Sequence, residues 1–216
     1  MIFEDRRHAG EVLAQELANL KLDPKKSIVA AIPRGGVVVG KVVSERLSIP
    51  LTVIVIKKLG APNNPELAIG ATASFGKPVL DRWLIRDLGV LPDYLKKEII
   101  KKRKEAASRE SFLGVKTDPK LFGDKIVIVV DDGIATGQTA KAAAKIMRKF
   151  SLSKIILAVG CASPSTIDLL RKDYDEIVVP EISQDLFAVG QFYRDFRTVE
   201  DEEVKEILSR QLTSNS

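Results

Sequence analysis

One cysteine in 216 residues excludes a disulfide framework. Cys161 lies in the apolar run 155–161, so it reads as a buried strand thiol rather than a nucleophile, and an intracellular setting is expected. The opening residues MIFEDRRH lack the apolar core of a signal peptide, and no later apolar run has the length needed to cross a bilayer. A cytoplasmic protein with no membrane partner is the expectation. A strongly basic composition is also missing. The 34 Lys+Arg against 29 Asp+Glu give +5, which suits an anionic partner but falls short of a dedicated nucleic-acid binder, so nucleic acid is disfavoured. Internal repeats and low-complexity linkers are absent as well. With 45% hydrophobic residues the chain can bury a substantial core, and one domain over 1–216 is expected. The single histidine, His8, sits among charges on an N-terminal helix and reads as a surface residue. Few Asn, Gln and Cys beside many Lys is the bias of heat-adapted proteins.

What is present is a regular alternation. Short β-branched runs at 28–32, 52–56, 69–74, 125–130, 154–159 and 176–179 are separated by helical patterns, which predicts βαβ units and a mostly parallel sheet covered on both faces. The run Ile126-Val127-Ile128-Val129-Val130 has no polar alternation and is expected at the centre. Ala9, Val12, Leu13, Leu17 and Leu20 share one helical face, as do Ala143, Ile146, Met147 and Phe150. Ser163-Pro164 reads as an N-cap and first helical position. A long helix over 92–113, rich in Lys, Arg and Glu, has a thin seam of Leu95, Ile99, Ala106 and Leu113 and reads as a solvated helix over the domain.

The central run ends in Asp131-Asp132-Gly133-Ile134-Ala135-Thr136-Gly137-Gln138-Thr139. Ligands of open parallel sheets collect beyond the carboxyl ends of the strands, which is where these acids fall. The loop that follows runs into a helix, so backbone N–H groups, the Thr136 and Thr139 hydroxyls and a helix N-terminus converge, and a phosphate is expected there. Two carboxylates repel a phosphate, but they accept hydrogen bonds from a vicinal diol, and a nearby divalent cation offsets their mutual repulsion. Diol beside phosphate describes a ribose 5-phosphate. An acidic turn that merely caps a helix needs only one carboxylate and no Ala-Thr-Gly-Gln-Thr tract.

These residues resemble the type I phosphoribosyltransferases, whose signature for 5-phosphoribosyl 1-pyrophosphate (PRPP) is an apolar strand, two acids, and a loop ending in Ala/Asp-Thr-Gly-x-Thr. The resemblance is closest to a less characterised bacterial and archaeal branch that shares Ala31-Ile32-Pro33-Arg34-Gly35-Gly36, Lys57-Lys58-Leu59-Gly60-Ala61-Pro62 and Asn64-Pro65-Glu66-Leu67-Ala68-Ile69-Gly70. It implies an α/β fold with a mostly parallel sheet flanked by helices and a small hood from the C-terminal and N-terminal segments. It also implies transfer of ribose 5-phosphate from PRPP to a nucleobase or related heterocycle, with Mg²⁺ accompanying PRPP and a homodimer as the assembly.

By that resemblance Asp131, Asp132, Gly133, Ala135, Thr136, Gly137, Gln138 and Thr139 bind PRPP, and Asp131 and Asp132 meet Mg²⁺ indirectly, with PRPP. Pro33, Arg34, Gly35 and Gly36 form the pyrophosphate loop, in which relatives often carry a non-proline cis peptide. Arg34, Lys57, Lys58 and Glu66 are the expected catalytic side chains, the last three on or beside a flexible lid at about 58–68. The hood at about 180–199 offers Phe187 and Tyr193 to the base. Ala135 stands where relatives acting on 6-oxopurines carry Asp, so a 6-oxopurine is disfavoured. The same region nearly spells a phosphate-binding Walker loop through Gly35, Gly40 and Lys41, but Val42 replaces the required Ser or Thr, and Val37-Val38-Val39 resist the positive φ such a cradle uses. Two alternatives to the enzyme stand: a sensor of PRPP or nucleotide that has lost transfer, and an RNA-binding attenuator using the long basic helix.

Overall fold

The computed structural model describes the backbone of residues 1–214 and the side chains of residues 1–209. In chain order its elements are α1 Arg6–Ala18, β1 Ser27–Ala31, α2 Gly35–Leu47, β2 Leu51–Val53, β3 Lys57–Ala61, β4 Asn64–Thr72, β5 Val79–Leu80, α3 Arg82–Asp87, α4 Pro92–Phe112, β6 Ile126–Asp131, α5 Gln138–Met147, β7 Lys154–Val159, β8 Cys161–Ala162, α6 Pro164–Leu170, β9 Glu176–Val178, β10 Glu181–Ile182 and α7 Asp201–Ser214.

Five strands form a wholly parallel sheet in the order β2-β1-β6-β7-β9. Side chains of β6 divide between its two faces as a period of two requires. Val127 and Val129 pack with Leu157 and with Ala143, Ala144, Ile146 and Met147 of α5. Ile128 and Val130 pack with Val29 and Ile156 and with Leu13, Leu17, Val39 and Val43 of α1 and α2. Each fully buried Leu, Ile or Met here contributes about 1.5–3 kcal/mol through loss of water contact. The register pairs Ala31 with Val130. That match levels the carboxyl ends of β1 and β6, so the Pro33-Arg34 turn and the Asp131-Asp132 turn emerge side by side.

Strand β2 is shorter than the apolar run 52–56 predicts. Its last ladder bond runs from the Ile54 N–H to the Ala31 carbonyl, 2.9 Å. Beyond Ala31 the neighbouring chain turns at Pro33, which has no N–H to extend a ladder. The segment 58–68, expected as a flexible lid, is built largely as an antiparallel hairpin of β3 and β4, with β5 on the outer edge of β4. Asn63 at φ 63° makes the reversal. Leu59, Ala61 and Ile69 anchor the hairpin on Leu95 and Ile99 of α4, and the Tyr94 hydroxyl donates to the Gly60 carbonyl at 3.0 Å. The long helix therefore carries the hairpin with one half of its seam, while Ala106 and Leu113 pack with Val37, Val53 and Val204.

Near the C-terminus β10 pairs with β8, and a short turn at Val189–Phe192 follows. Phe3, Cys161 and Tyr193 form the core of this region together with Leu186, Val189 and Phe196. The N-terminal segment is thus part of it, through the bridge between Phe3 and Tyr193. Among the described residues no helix is long and apolar enough to cross a membrane.

Candidate active site

Two helices begin beside the carboxyl ends of β1 and β6, and neither is closed by a side chain. The N-cap of α5 is Gly137 at φ 68°, where a side chain would be strained and where none is available to cap. The N-cap of α2 is Arg34, again without a capping bond. Helices α1, α3 and α6 differ: Asp5, Asp81 and Ser163 each accept from an amide of the first turn. The open ends leave orphan N–H donors and the positive end of the helix dipole facing the sheet edge. Among the described residues no backbone hydrogen bond outside helices and strands uses the amide of Ala135, Thr136 or Gly137. The loop itself is held in place by other groups. The Ile134 N–H donates to the Cys161 carbonyl at 2.9 Å, and the Thr166 hydroxyl donates to the Ala135 carbonyl at 2.8 Å.

The glycines of the first loop are required by close approach. A Cβ added at Gly35 would lie 1.9 Å from Asp132 Oδ2, and one at Gly36 would lie 2.9 Å from the Asp131 Cα. Pro33-Arg34-Gly35-Gly36 therefore rests directly against the aspartate pair. The Pro33-Arg34 peptide is cis.

The two acids are not equivalent, although the sequence suggests a matched pair. Asp132 Oδ2 accepts from the Arg6 Nε at 2.8 Å, with the two side chains only 13% and 10% exposed. Arg6 also donates to the Arg197 carbonyl at 2.8 Å and lies 3.9 Å over the Phe196 ring. The Tyr193 hydroxyl donates to the Asp132 carbonyl at 2.6 Å. Asp132 is thus also a joint between the sheet, α1 and the C-terminal segment. Asp131 accepts from its neighbour's N–H at 2.9 Å, and among the described residues no arginine or lysine forms an ion pair with it. Burial, and then the charge of Asp132, push its carboxyl pKa well above the ordinary carboxylate range.

The sign of that shift has a measurable result. Below the ordinary carboxylate pKa of about 4 both folded and unfolded chains hold the proton, and Asp131 costs nothing. As pH rises through the window up to the elevated folded value, the unfolded chain ionises first and stability falls. Asn at this position still accepts the Asp132 N–H and never ionises. Asp131→Asn is therefore expected to raise the melting temperature by a few degrees at about pH 8 and to have little effect near about pH 4. A variant no more stable than the parent at the higher pH would contradict the burial argument.

The matching family model, Phosphoribosyl transferase domain, covers residues 4–197. The chain belongs to that family. Among its relatives are two Mycobacterium tuberculosis proteins, from strains CDC 1551 and H37Rv, that carry provisional phosphoribosyl transferase names. Each is 38% identical over 213 residues, 97% of this chain. The chain spans about half the length of these curated relatives, 47% of each. The crystal structure of TT1426 from Thermus thermophilus superposes with a TM-score of 0.85 at 38% identity, over 98% of this chain and 99% of that one. The α/β fold with a parallel central sheet is accordingly the phosphoribosyl transferase fold.

Within that family frame the expected site residues separate into groups. Asp131, Asp132, Gly35 and Gly36 are in contact or nearly so. Lys57 and Lys58 lie on opposite faces of β3. Lys58 lines a cleft of about 720 Å³ together with Glu66, Thr136, Gln138 and Thr139. Lys57 lines a separate groove with Lys101, Lys104 and Arg109. Arg82, Lys141 and Lys145 share the larger cleft and carry no motif that marks them in the sequence. Tyr193 is 6% exposed with its ring between Phe3 and Phe196, at centroid distances of 5.2 and 5.0 Å, so the expected stacking face is already covered. Phe187 is 83% exposed. Cys161 is a thiol pushed up to about 12 by burial, in keeping with a structural role.

Proposed function

We propose that this protein transfers ribose 5-phosphate from PRPP to a nitrogenous base and releases pyrophosphate. The observation that carries the reading is the pair of uncapped helix N-termini, α2 and α5, beginning next to Asp131 and Asp132. A ligand with a phosphate at each end of a diol-bearing sugar calls for this set of donors and acceptors: two helix N-termini for the phosphates and a pair of acids for the diol. The amides of Ala135, Thr136, Gly137, Gln138 and Thr139, with the two threonine hydroxyls, hold the 5-phosphate. Asp131, with the part of Asp132 not engaged by Arg6, accepts from the ribose hydroxyls. Gly133 keeps the turn narrow, since an added Cβ would lie 2.6 Å from the Cys161 Sγ.

The bond to pyrophosphate lengthens before the base bonds firmly, so negative charge grows on the leaving group and positive charge on the sugar. Arg34 and the Gly35 and Gly36 amides are the donors available to the former, and Asp131, ionised once PRPP is bound with its Mg²⁺, stabilises the latter. Bound with PRPP, Mg²⁺ supplies further neutralisation of the pyrophosphate charge. Among the described residues no cluster of three or more His, Cys, Asp or Glu exists to hold a metal alone. The pair Asp131 and Asp132 suits a cation that keeps substrate and water oxygens as most of its ligands. Closure of the hairpin, with Lys58 and Glu66 on its inner side, keeps water from the reactive sugar. The protein acts in the cytoplasm as a homodimer in this reading. Ala135 argues against 6-oxopurines, and the base is otherwise unassigned.

The test is PRPP-dependent pyrophosphate release against a panel of purines, pyrimidines and other heterocycles. Turnover with one of them, absent without PRPP, is the expected result. Tight PRPP binding with no turnover on any acceptor would replace the enzyme with a sensor.

A further inference from the structure

At the start of α7 a single carboxylate stands between two guanidinium groups. Asp201 pairs in bidentate fashion with Arg109 of α4, one contact at 2.5 Å, and its Oδ1 lies 3.5 Å from Nη1 of Arg34. The Arg109 hydrogen bonds, aided by Arg34, hold the Asp201 carboxyl below its ordinary pKa, so it is an anion at neutral pH. Arg109 continues into the groove of about 570 Å³ that it lines with Lys57, Lys101 and Lys104. Among the described residues these three lysines have no ion-pair partner, while the groove's one acid, Glu105, is paired with Lys102. Arg109 thus joins two places, the lysine-lined groove on one side and, on the other, the carboxylate of the last helix that it shares with Arg34.

A planar bidentate guanidinium is the side chain best matched to carboxylate and phosphate alike. A carboxylate held by two guanidiniums presents anionic oxygens where a phosphoryl group, tetrahedral and more highly charged, could present its own. Arg34 belongs to the loop assigned above to pyrophosphate, whereas nothing in the sequence assigns Arg109 or Asp201.

We propose that the space between Arg34 and Arg109 is an anion site for a phosphoryl group of pyrophosphate, and that Asp201 is a resident competitor which must leave for that group to bind. Arg109 is then a further pyrophosphate-binding residue, and Lys57, rather than Lys58, is the lysine of β3 on this side. The proposal rests on the PRPP reading for its ligand, but not for its test.

Binding of Mg²⁺·inorganic pyrophosphate is measured by calorimetry, with no base and no turnover. Asp201→Asn keeps the shape and removes the competing charge, and should tighten binding about tenfold or more, the equivalent of one charge-assisted hydrogen bond. Arg109→Ala should weaken binding by a similar factor, and the double variant should gain nothing from Asp201→Asn. Glu203→Gln, which removes a neighbouring α7 acid paired instead with Arg197, should leave the affinity unchanged. Unchanged or weaker binding in Asp201→Asn overturns the proposal. Should that variant fold poorly, the wild-type chain decides. Saturating pyrophosphate should speed amide hydrogen exchange in the first turn of α7, and unaltered exchange there also overturns it. Tighter binding in Asp201→Asn with no transfer to any base would keep this site and remove the catalytic reading. Active transfer with an indifferent Asp201→Asn would do the reverse.

Discussion

Changing Asp131 and Asp132 together to asparagine is expected to lower Mg²⁺·PRPP affinity by at least about a hundredfold, since two charge-assisted acceptors of the ribose hydroxyls are lost at roughly 1.5–3 kcal/mol each. The two positions should not share the loss in the same way. Asp131 forms no ion pair with an arginine among the described residues, and burial with the Asp132 charge disfavours its ionised form, so Asp131→Asn weakens the ligand while stabilising the free protein. Asp132 is tied to Arg6, so Asp132→Asn weakens the ligand and removes the counter-charge of a guanidinium that is 10% exposed. Calorimetry on the three variants, read beside their melting curves, separates these effects. Near-normal affinity in the double variant would remove the pair from the ribose site.

Arg6→Ala should be the most damaging single change to the fold among those at the site. It leaves Asp132 buried next to Asp131 with no counter-charge, removes the bond to the Arg197 carbonyl and uncovers the Phe196 ring. Breaking a buried pair from one side costs about 3–5 kcal/mol, which for a chain of this size is roughly 10 °C in melting temperature. The loss should be smaller in Arg6→Ala combined with Asp132→Asn, because the stranded charge is gone. Equal losses in the single and double variants would show that Arg6 acts by packing alone.

The strands of the central sheet were the legible part of the fold. Continuous apolar runs such as 155–159 point to a strand buried on both faces, and the structure places β7 at Lys154–Val159. The hairpin was not legible. Gly60, Pro62, Pro65 and an exposed stretch from Asn64 to Ala68 carry turn chemistry and little alternation, and its pairing rests on backbone bonds and on anchors in α4 distant in sequence. The core of the candidate site, Asp131 to Thr139 with Pro33 to Gly36, could be read because strand ends, glycines and acids are local signals. Arg6 could not. It stands in the run Glu4-Asp5-Arg6-Arg7-His8, where nothing separates it from Arg7 until the fold brings it to Asp132 across 126 positions. The aromatic segment misleads for a related reason: composition marks Tyr193 and Phe187 as ring-bearing, but only packing shows that one ring is enclosed and the other bare.

The most direct measurement is the electron density of crystals of this protein grown with Mg²⁺ and PRPP. The 5-phosphate should lie against the amides of Ala135 to Thr139 and the ribose hydroxyls against Asp131, with pyrophosphate over Gly35 and Gly36. A ligand bound elsewhere, with the α5 amides unoccupied and Asp131 facing no sugar, would contradict the account at its centre.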